Sequence, residues 1–387
     1  MHTDQLHNFD IAHFLEEYWQ QKPQLIREAL VNFESPLEAN DLAGLALEAS
    51  VESRIIVEHQ KNGKSRWQLL QGPFSEMDYQ NLADKNWTLL VQAVDFFVPE
   101  VAALKKLFRF IPDWRLDDVM VSFAPQGGSV GPHFDQYDVF LLQAQGQRIW
   151  KTGQLCDETT PLDHNDQLKI IKDFRTEQEH TLNAGDILYV PPGIAHWGIS
   201  NSDDCMTISI GFRAPSHAQI LQNSCDEVSS QLLDDQRFTD IILNNTPQHA
   251  AEIPQHIEQQ LKNIIRDVLL TDQSVIESFG KMMTELKYDD DDIHALPSLS
   301  EVKAQGLSVR RALESRLAYY KRDRHLIIFA NGLSFETSLE QEPFIQALSD
   351  NALNINRLDL NPEQSEIIDR LLEFGIFEID DDDDSGF

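Results

Sequence analysis

A chain of 387 residues has room for two or three domains, and its 41% hydrophobic content supports packed cores rather than a disordered polymer. The formal net charge of -33 sets the surface against phosphate backbones, which disfavours direct nucleic-acid binding and leaves solubility or a basic protein partner as its uses. Three scattered cysteines (Cys156, Cys205 and Cys225) make no CxxC pair and suit a reducing cytoplasm, while the absence of an apolar signal core and of any run of about 18 uncharged apolar residues argues against a membrane location.

The spacing of Phe9, Phe14, Leu15 and Tyr18 predicts a helix stopped at Pro23, and QLIREAL after it reads as an edge strand. Residues 37–48 read as a short helix and 86–108 as a longer amphipathic stretch. From about 115 to 213 the texture changes to short strand-like runs between Gly and Pro turns, among them VMVSFA, YDVFLLQ, RIWKTG, GDILYVPPG and MTISIGF. Many short strands at this spacing indicate a β-barrel or sandwich. After Pro215 the pattern turns helical over 216–236 and 254–287. An acidic run, Asp289 to Asp292, reads as a linker. Beyond it, VRRALESRLAYY reads as a helix and HLIIFANGLSFET as a hairpin with an Asn-Gly turn, followed by more helix and an acidic tail, Asp380 to Asp384. The expected organisation is a catalytic barrel over 1–215, a helical region over 216–290 and a winged-helix-like module over 291–387. No internal repeat is visible.

The chemical signal lies in GPHFDQYD at 131–138 and PPGIAHWG at 191–198. On a strand, residues i and i+2 share a face, so His133 and Asp135 present an imidazole and a carboxylate together. His196 follows a Pro-Pro-Gly turn able to return it across a barrel. Two histidines and one carboxylate make the facial triad of non-haem Fe(II) oxygenases, with three positions left for cosubstrate and dioxygen. Zinc accepts the same ligands, but its closed structural sites use cysteine, and none lies near these motifs. A dicarboxylate cosubstrate needs a cation, for which Arg148 is the candidate, with Lys151 on the opposite strand face as the alternative. Thr207 and Ser209 share one face of MTISIGF and are candidate donors to the same ligand, or simple barrel-lining hydroxyls. Tyr137 is a candidate substrate contact. Trp150 and Trp197 flank the site as walls or as packing.

The stretches GPHFDQYDVFLLQAQGQRIWKTG, GDILYVPPGIAHWGIS and SIGFRAP, with FLEEYWQQKPQLIREAL and NWTLLVQAVD upstream, resemble the Jumonji-C ribosomal oxygenases over residues 10–215. The resemblance implies an α+β chain with a double-stranded β-helix (cupin/Jumonji-C) core, a helical dimerisation region and a C-terminal winged-helix domain. It implies Fe(II) at His133, Asp135 and His196, with 2-oxoglutarate held through Arg148 and turned over to succinate and carbon dioxide. In the bacterial branch the implied target is an arginine side chain of large-subunit ribosomal protein sixteen, with hydroxylation at carbon 3. Three rival readings stay open here. The first is a cupin metal enzyme without dioxygen chemistry, disfavoured because such cupins place HxH and a glutamate where Asp135 and Asp138 stand. The others are an N-methyl-lysine demethylase and a non-catalytic module that binds ribosomal proteins.

Overall fold

The computed structural model describes residues 5–61, 64–163, 168–239, 251, 253–269, 272–288, 296–350 and 359–380. It divides into two compact units, Met1–Ala214 and Pro215–Phe387.

The first unit is built on strands β1 (Gln24–Ile26), β2 (Ser53–Lys61), β3 (Lys64–Gln71), β4 (Trp87–Val91), β5 (Leu116–Ala124), β6 (Val139–Gln145), β7 (Gln147–Leu155), β8 (Thr176–Asn183), β9 (Ile187–Val190), β10 (Ile194–Ser200) and β11 (Cys205–Phe212). One sheet of eight strands runs β1-β9-β6-β11-β5-β4-β2-β3, and a second of three runs β10-β7-β8. Side chains from both sheets meet in one apolar cluster, Val139, Leu141, Leu188 and Val190 from the large sheet with Trp150 and Leu182 from the small one. Two facing antiparallel sheets of this kind form a jelly roll, the double-stranded β-helix that the resemblance implies.

Strand alternation decides what enters the space between the sheets. On β11, Met206, Ile208, Ile210 and Phe212 join the main hydrophobic core on the outer face. Cys205, Thr207 and Ser209 therefore take the other face, as do Val139, Leu141 and Gln143 on β6. The outer face of the large sheet is covered by the N-terminal segment. Asp10 caps the helix Ile11–Glu17 by accepting from the His13 backbone N–H. Phe14, fully buried, packs from this helix against Phe140 and Tyr189 with ring centroids 5.5 and 4.9 Å away. The expected edge strand is β1, which pairs with β9 alone. The stretch 86–108 resolves into β4, turns of 3-10 helix at Val94–Phe96 and Lys105–Phe108, and the helix Pro99–Leu104.

In the second unit, helices cover His217–Ser230, Gln255–Leu269 and Asp272–Thr284, in the stretches where helical spacing is read. The Asn-Gly hairpin joins His325–Ala330 to Leu333–Ser338, with Asn331 and Gly332 both at positive φ as a tight primed turn requires. VRRALESRLAYY is not a helix. Val309–Arg311 pairs with Phe377–Ile379, and Leu317–Arg322 pairs with His325–Ala330. The apolar strand HLIIFA, buried from Leu326 to Ala330, needs a partner on each side, and this demand overrides the local helical preference. The expected linker run at 289–292 and the tail beyond Asp380 lie outside the described residues.

Phe14 is wedged between aromatic rings at the centre of the first unit, and truncating it leaves a cavity there. Phe14→Ala is expected to cost about 3–5 kcal/mol of stability, read from the denaturant midpoint of unfolding.

Candidate metal centre

The residues of the HxD motif lie in the loop between β5 and β6, and His196 lies on β10. What joins them is a pair of backbone hydrogen bonds. The His133 N–H donates to the His196 carbonyl at 3.0 Å, and the His196 N–H donates to the His133 carbonyl at 2.8 Å. Residues that exchange both bonds stand directly opposite, so their side chains leave from the same side. The ring centroids are 4.2 Å apart. The same loop is anchored again where the Gly193 N–H donates to the Asp135 carbonyl at 2.7 Å. Gly131, two residues before His133, has φ +81, and a Cβ there would meet Ile170 and the Trp67 ring. The turn into the motif thus needs both the left-handed conformation and the missing side chain.

Asp135 Oδ2 lies 3.9 Å from His133 Nε2 and 3.5 Å from His196 Nε2. One ligand atom from each of the three residues falls within 4.8 Å of the others. An octahedral ion with bonds of about 2.1 Å holds adjacent donors roughly 3 Å apart, so a modest contraction suffices to close the triad on a metal. The second nitrogen of each ring is committed elsewhere. His133 Nδ1 lies 3.0 Å from the Gly131 carbonyl, and His196 Nδ1 lies 3.1 Å from the Ile194 carbonyl. A carbonyl only accepts, which puts the proton on Nδ1 and leaves the Nε2 lone pairs for the ion. Burial, helped by the charge of His133 and opposed by Asp135, holds His196 down at about 4, so its imidazole is neutral and ready to ligate at physiological pH.

Arg148 and Trp150 alternate with outward residues on β7, where Trp150 opposes Gly198 and Thr152 opposes His196 across β10. Gly198 is required here, since a Cβ would lie 2.7 Å from the Trp150 ring. The ring in turn sits 5.9 Å from that of His196. Arg148 is 3% exposed, and among the described residues its Nη2 has no hydrogen-bond partner; the same holds for the buried Trp150 Nε1. A buried guanidinium without an anion is costly, so this orphaned donor fits the distal carboxylate of a dicarboxylate ligand. Lys151 takes the outer face of the strand, pairing with Glu179 at 3.3 Å and lying over Trp197.

The remaining candidates fall as follows. The Thr207 hydroxyl faces the interior and donates to Gln143 Oε1 at 3.3 Å, and Ser209 is buried on the same face of β11. Tyr137 is 43% exposed. Asp138 is not at the metal position. Its carboxylate accepts from Tyr189, Gln20 and Arg115, bracing the end of the HxD loop, and burial raises its pKa. The sequence alone missed this brace, the Trp67 ring over Gly131 and the contact of Arg148 with Cys205, because each joins residues far apart in the chain.

Residues 103–220 match the JmjC domain. The chain is 37% identical to the ribosomal protein uL16 3-hydroxylase of Escherichia coli, over 72% of each protein. It belongs to the JmjC ribosomal oxygenases. A probable ribosomal oxygenase of Haemophilus influenzae is 32% identical over 87% of this chain and 85% of that protein. The X-ray structure of E. coli YcfD superposes with a TM-score of 0.81 at 30% identity, covering 97% of this chain and 99% of that one. YcfD has also been solved as a ribosomal oxygenase in complex with cobalt and 2-oxoglutarate, with a TM-score of 0.78 at 29% identity and the same coverage.

Removing the central carboxylate leaves two imidazoles, too few to hold a divalent ion firmly. Asp135→Ala is expected to lower Mn(II) affinity by more than about a hundredfold, measured by calorimetry on otherwise folded protein. An unchanged affinity would place the metal elsewhere.

Proposed function

We propose that this protein is an Fe(II)- and 2-oxoglutarate-dependent oxygenase that hydroxylates an arginine side chain of ribosomal protein uL16, the large-subunit ribosomal protein sixteen, at carbon 3. The observation that carries this reading is the His133–Asp135–His196 cluster placed in one barrel with a buried arginine that lacks an anion. Its kinship with the uL16 3-hydroxylase supports the substrate, and the surface charge of -33 suits a basic ribosomal protein.

Bound at this site, Fe(II) and 2-oxoglutarate would supply the electrons that activate dioxygen, the oxidant, one atom of which would enter the substrate C–H bond and the other succinate as carbon dioxide leaves. The chain's own residues do the rest. His133, Asp135 and His196 hold the ion, and the Gly131 and Ile194 carbonyls fix the two rings so that both Nε2 atoms converge. Arg148 binds the distal carboxylate of the cosubstrate, with Thr207 and Ser209 as polar neighbours on β11. Val139, Leu141, Leu188, Val190 and Trp150 keep water out of the space between the sheets.

Two further readings belong to this assignment. The helix Gln255–Leu269 leaves Leu261, Ile264 and Ile265 exposed at 46%, 42% and 57%, an apolar stripe suited to a second copy of the chain. We read this region as the dimerisation element between the catalytic domain and the C-terminal module. Among the described residues no helix is long and apolar enough to cross a membrane. A ribosomal-protein target supports a cytoplasmic site of action, and the free thiols of Cys156, Cys205 and Cys225 suit a reducing compartment.

Incubated with Fe(II), 2-oxoglutarate and air, the protein is expected to add about 16 mass units to uL16 and to a peptide carrying its target arginine, as expected for one oxygen atom. A lysine in place of that arginine should remove most turnover, since a point charge cannot reproduce the guanidinium fork. Loss of mass from a methylated lysine would instead favour a demethylase. Light scattering at micromolar concentration should give twice the chain mass, falling to one chain when Ile264 and Ile265 are both changed to aspartate.

A further inference from the structure

The guanidinium of Arg148 is held by an unusual partner. Its Nε–H donates to the sulfur of Cys205 at 3.3 Å, and Cys205 is fully buried at the start of β11. Among the described residues this is the one hydrogen bond that the Arg148 side chain makes, and no carboxylate pairs with it. The sulfur is itself held in place. Gln143 Nε2 approaches it at 3.4 Å while donating to the Gln145 and Met206 carbonyls, and Thr207 donates to the far end of the same amide. The Trp150 ring lies 5.6 Å from the guanidinium carbon.

We propose that Cys205 is a positioning residue for the cosubstrate: it fixes Arg148 through Nε and leaves the terminal nitrogens and the full positive charge for the distal carboxylate of 2-oxoglutarate. This rests on the function proposed above. Two physical arguments lead to it. An arginine side chain has several rotatable bonds, and freezing it only when ligand arrives would weaken binding, so a partner at Nε removes that cost beforehand. The partner must also be neutral. A buried aspartate or glutamate would orient the fork equally well, but it would cancel the charge and compete for the same donors. A thiol is a weak, uncharged acceptor of about the right size. The unpaired Nη2 is the second observation. The side chain is buried, anchored at one nitrogen and unsatisfied at another, as expected of a donor held for an anion.

The test compares two ligands on Mn(II)-loaded protein by calorimetry, with 2-oxoglutarate as one and 2-oxobutyrate, which lacks the distal carboxylate, as the other. Cys205→Ala removes the acceptor and leaves a small gap, Cys205→Val removes it with a slightly larger apolar side chain, and Cys205→Ser restores a neutral acceptor. The wild type is expected to prefer 2-oxoglutarate strongly. In Cys205→Ala and Cys205→Val the 2-oxoglutarate Kd should rise about five- to tenfold, the worth of one modest hydrogen bond. Binding of 2-oxobutyrate should not change, and Cys205→Ser should return to within about twofold of the wild type. In turnover the same variants should raise the KM for 2-oxoglutarate with kcat nearly unchanged. Equal 2-oxoglutarate affinity in wild type and Cys205→Val, or equal losses for both ligands, overturns the positioning role while leaving the oxygenase standing. A wild type that does not distinguish the two ligands overturns the Arg148 assignment and this inference with it.

Discussion

The site depends on one backbone closure. His133 and His196 come from segments far apart in the chain, and two reciprocal hydrogen bonds make them face each other. Side chains alone could not fix two rings at a centroid separation of 4.2 Å, because each imidazole keeps two rotatable bonds. The paired backbone removes that freedom, and the carbonyls of Gly131 and Ile194 remove what is left by holding the Nδ1 atoms. Everything around the closure serves it. Gly131 and Gly193 adopt positive φ to turn the two loops, and the Asp135 carbonyl is tied to Gly193. Asp138, braced by Tyr189, Gln20 and Arg115, fixes where the HxD loop rejoins β6.

Around this closure the barrel separates two kinds of interior. Toward the N-terminal helix the large sheet is covered by aromatic packing among Phe14, Phe140, Phe108 and Tyr189. Between the two sheets the lining mixes aliphatic residues with His196, Arg148, Gln143, Thr207 and Ser209. Burying a charge without its partner runs against stability, and proteins keep such a feature where a ligand completes it. The cost of Arg148, on the small sheet, is thus offset by the aromatic layer on the outer face of the large sheet that it opposes.

Much of this was legible in the sequence because the informative contacts are local or follow strand parity. The Pro-Pro-Gly turn before His196 reads directly from its residues, and the separation of Arg148 from Lys151 onto opposite faces follows from a two-residue repeat. The structure bears out that parity, with Arg148 inside and Lys151 paired outside with Glu179. The strand expected under His133 and Asp135 is instead a loop, and the bridge from His133 to His196 together with the Gly193 bond to Asp135 brings the pair together. Composition and periodicity could not show the Cys205 sulfur beside Arg148 or the Trp67 ring over Gly131, since these are meetings between elements that only the folded topology creates. The misread segment was VRRALESRLAYY, expected as a helix. The buried strand Leu326–Ala330 recruits it into a sheet instead, a tertiary demand that local preference does not encode.

The central claim is that one ion at His133, Asp135 and His196 and one 2-oxo acid at Arg148 share a single site. An anaerobic titration of Fe(II)-loaded protein with 2-oxoglutarate tests it most directly, through the visible charge-transfer absorption that appears when a 2-oxo acid chelates Fe(II) through two oxygens. The account predicts a band that saturates at one 2-oxoglutarate per chain in the wild type. In Arg148→Ala the band should keep its shape but saturate only at much higher concentration, and in Asp135→Ala it should be absent. A band of normal affinity in Arg148→Ala, or any band in Asp135→Ala, would contradict the account.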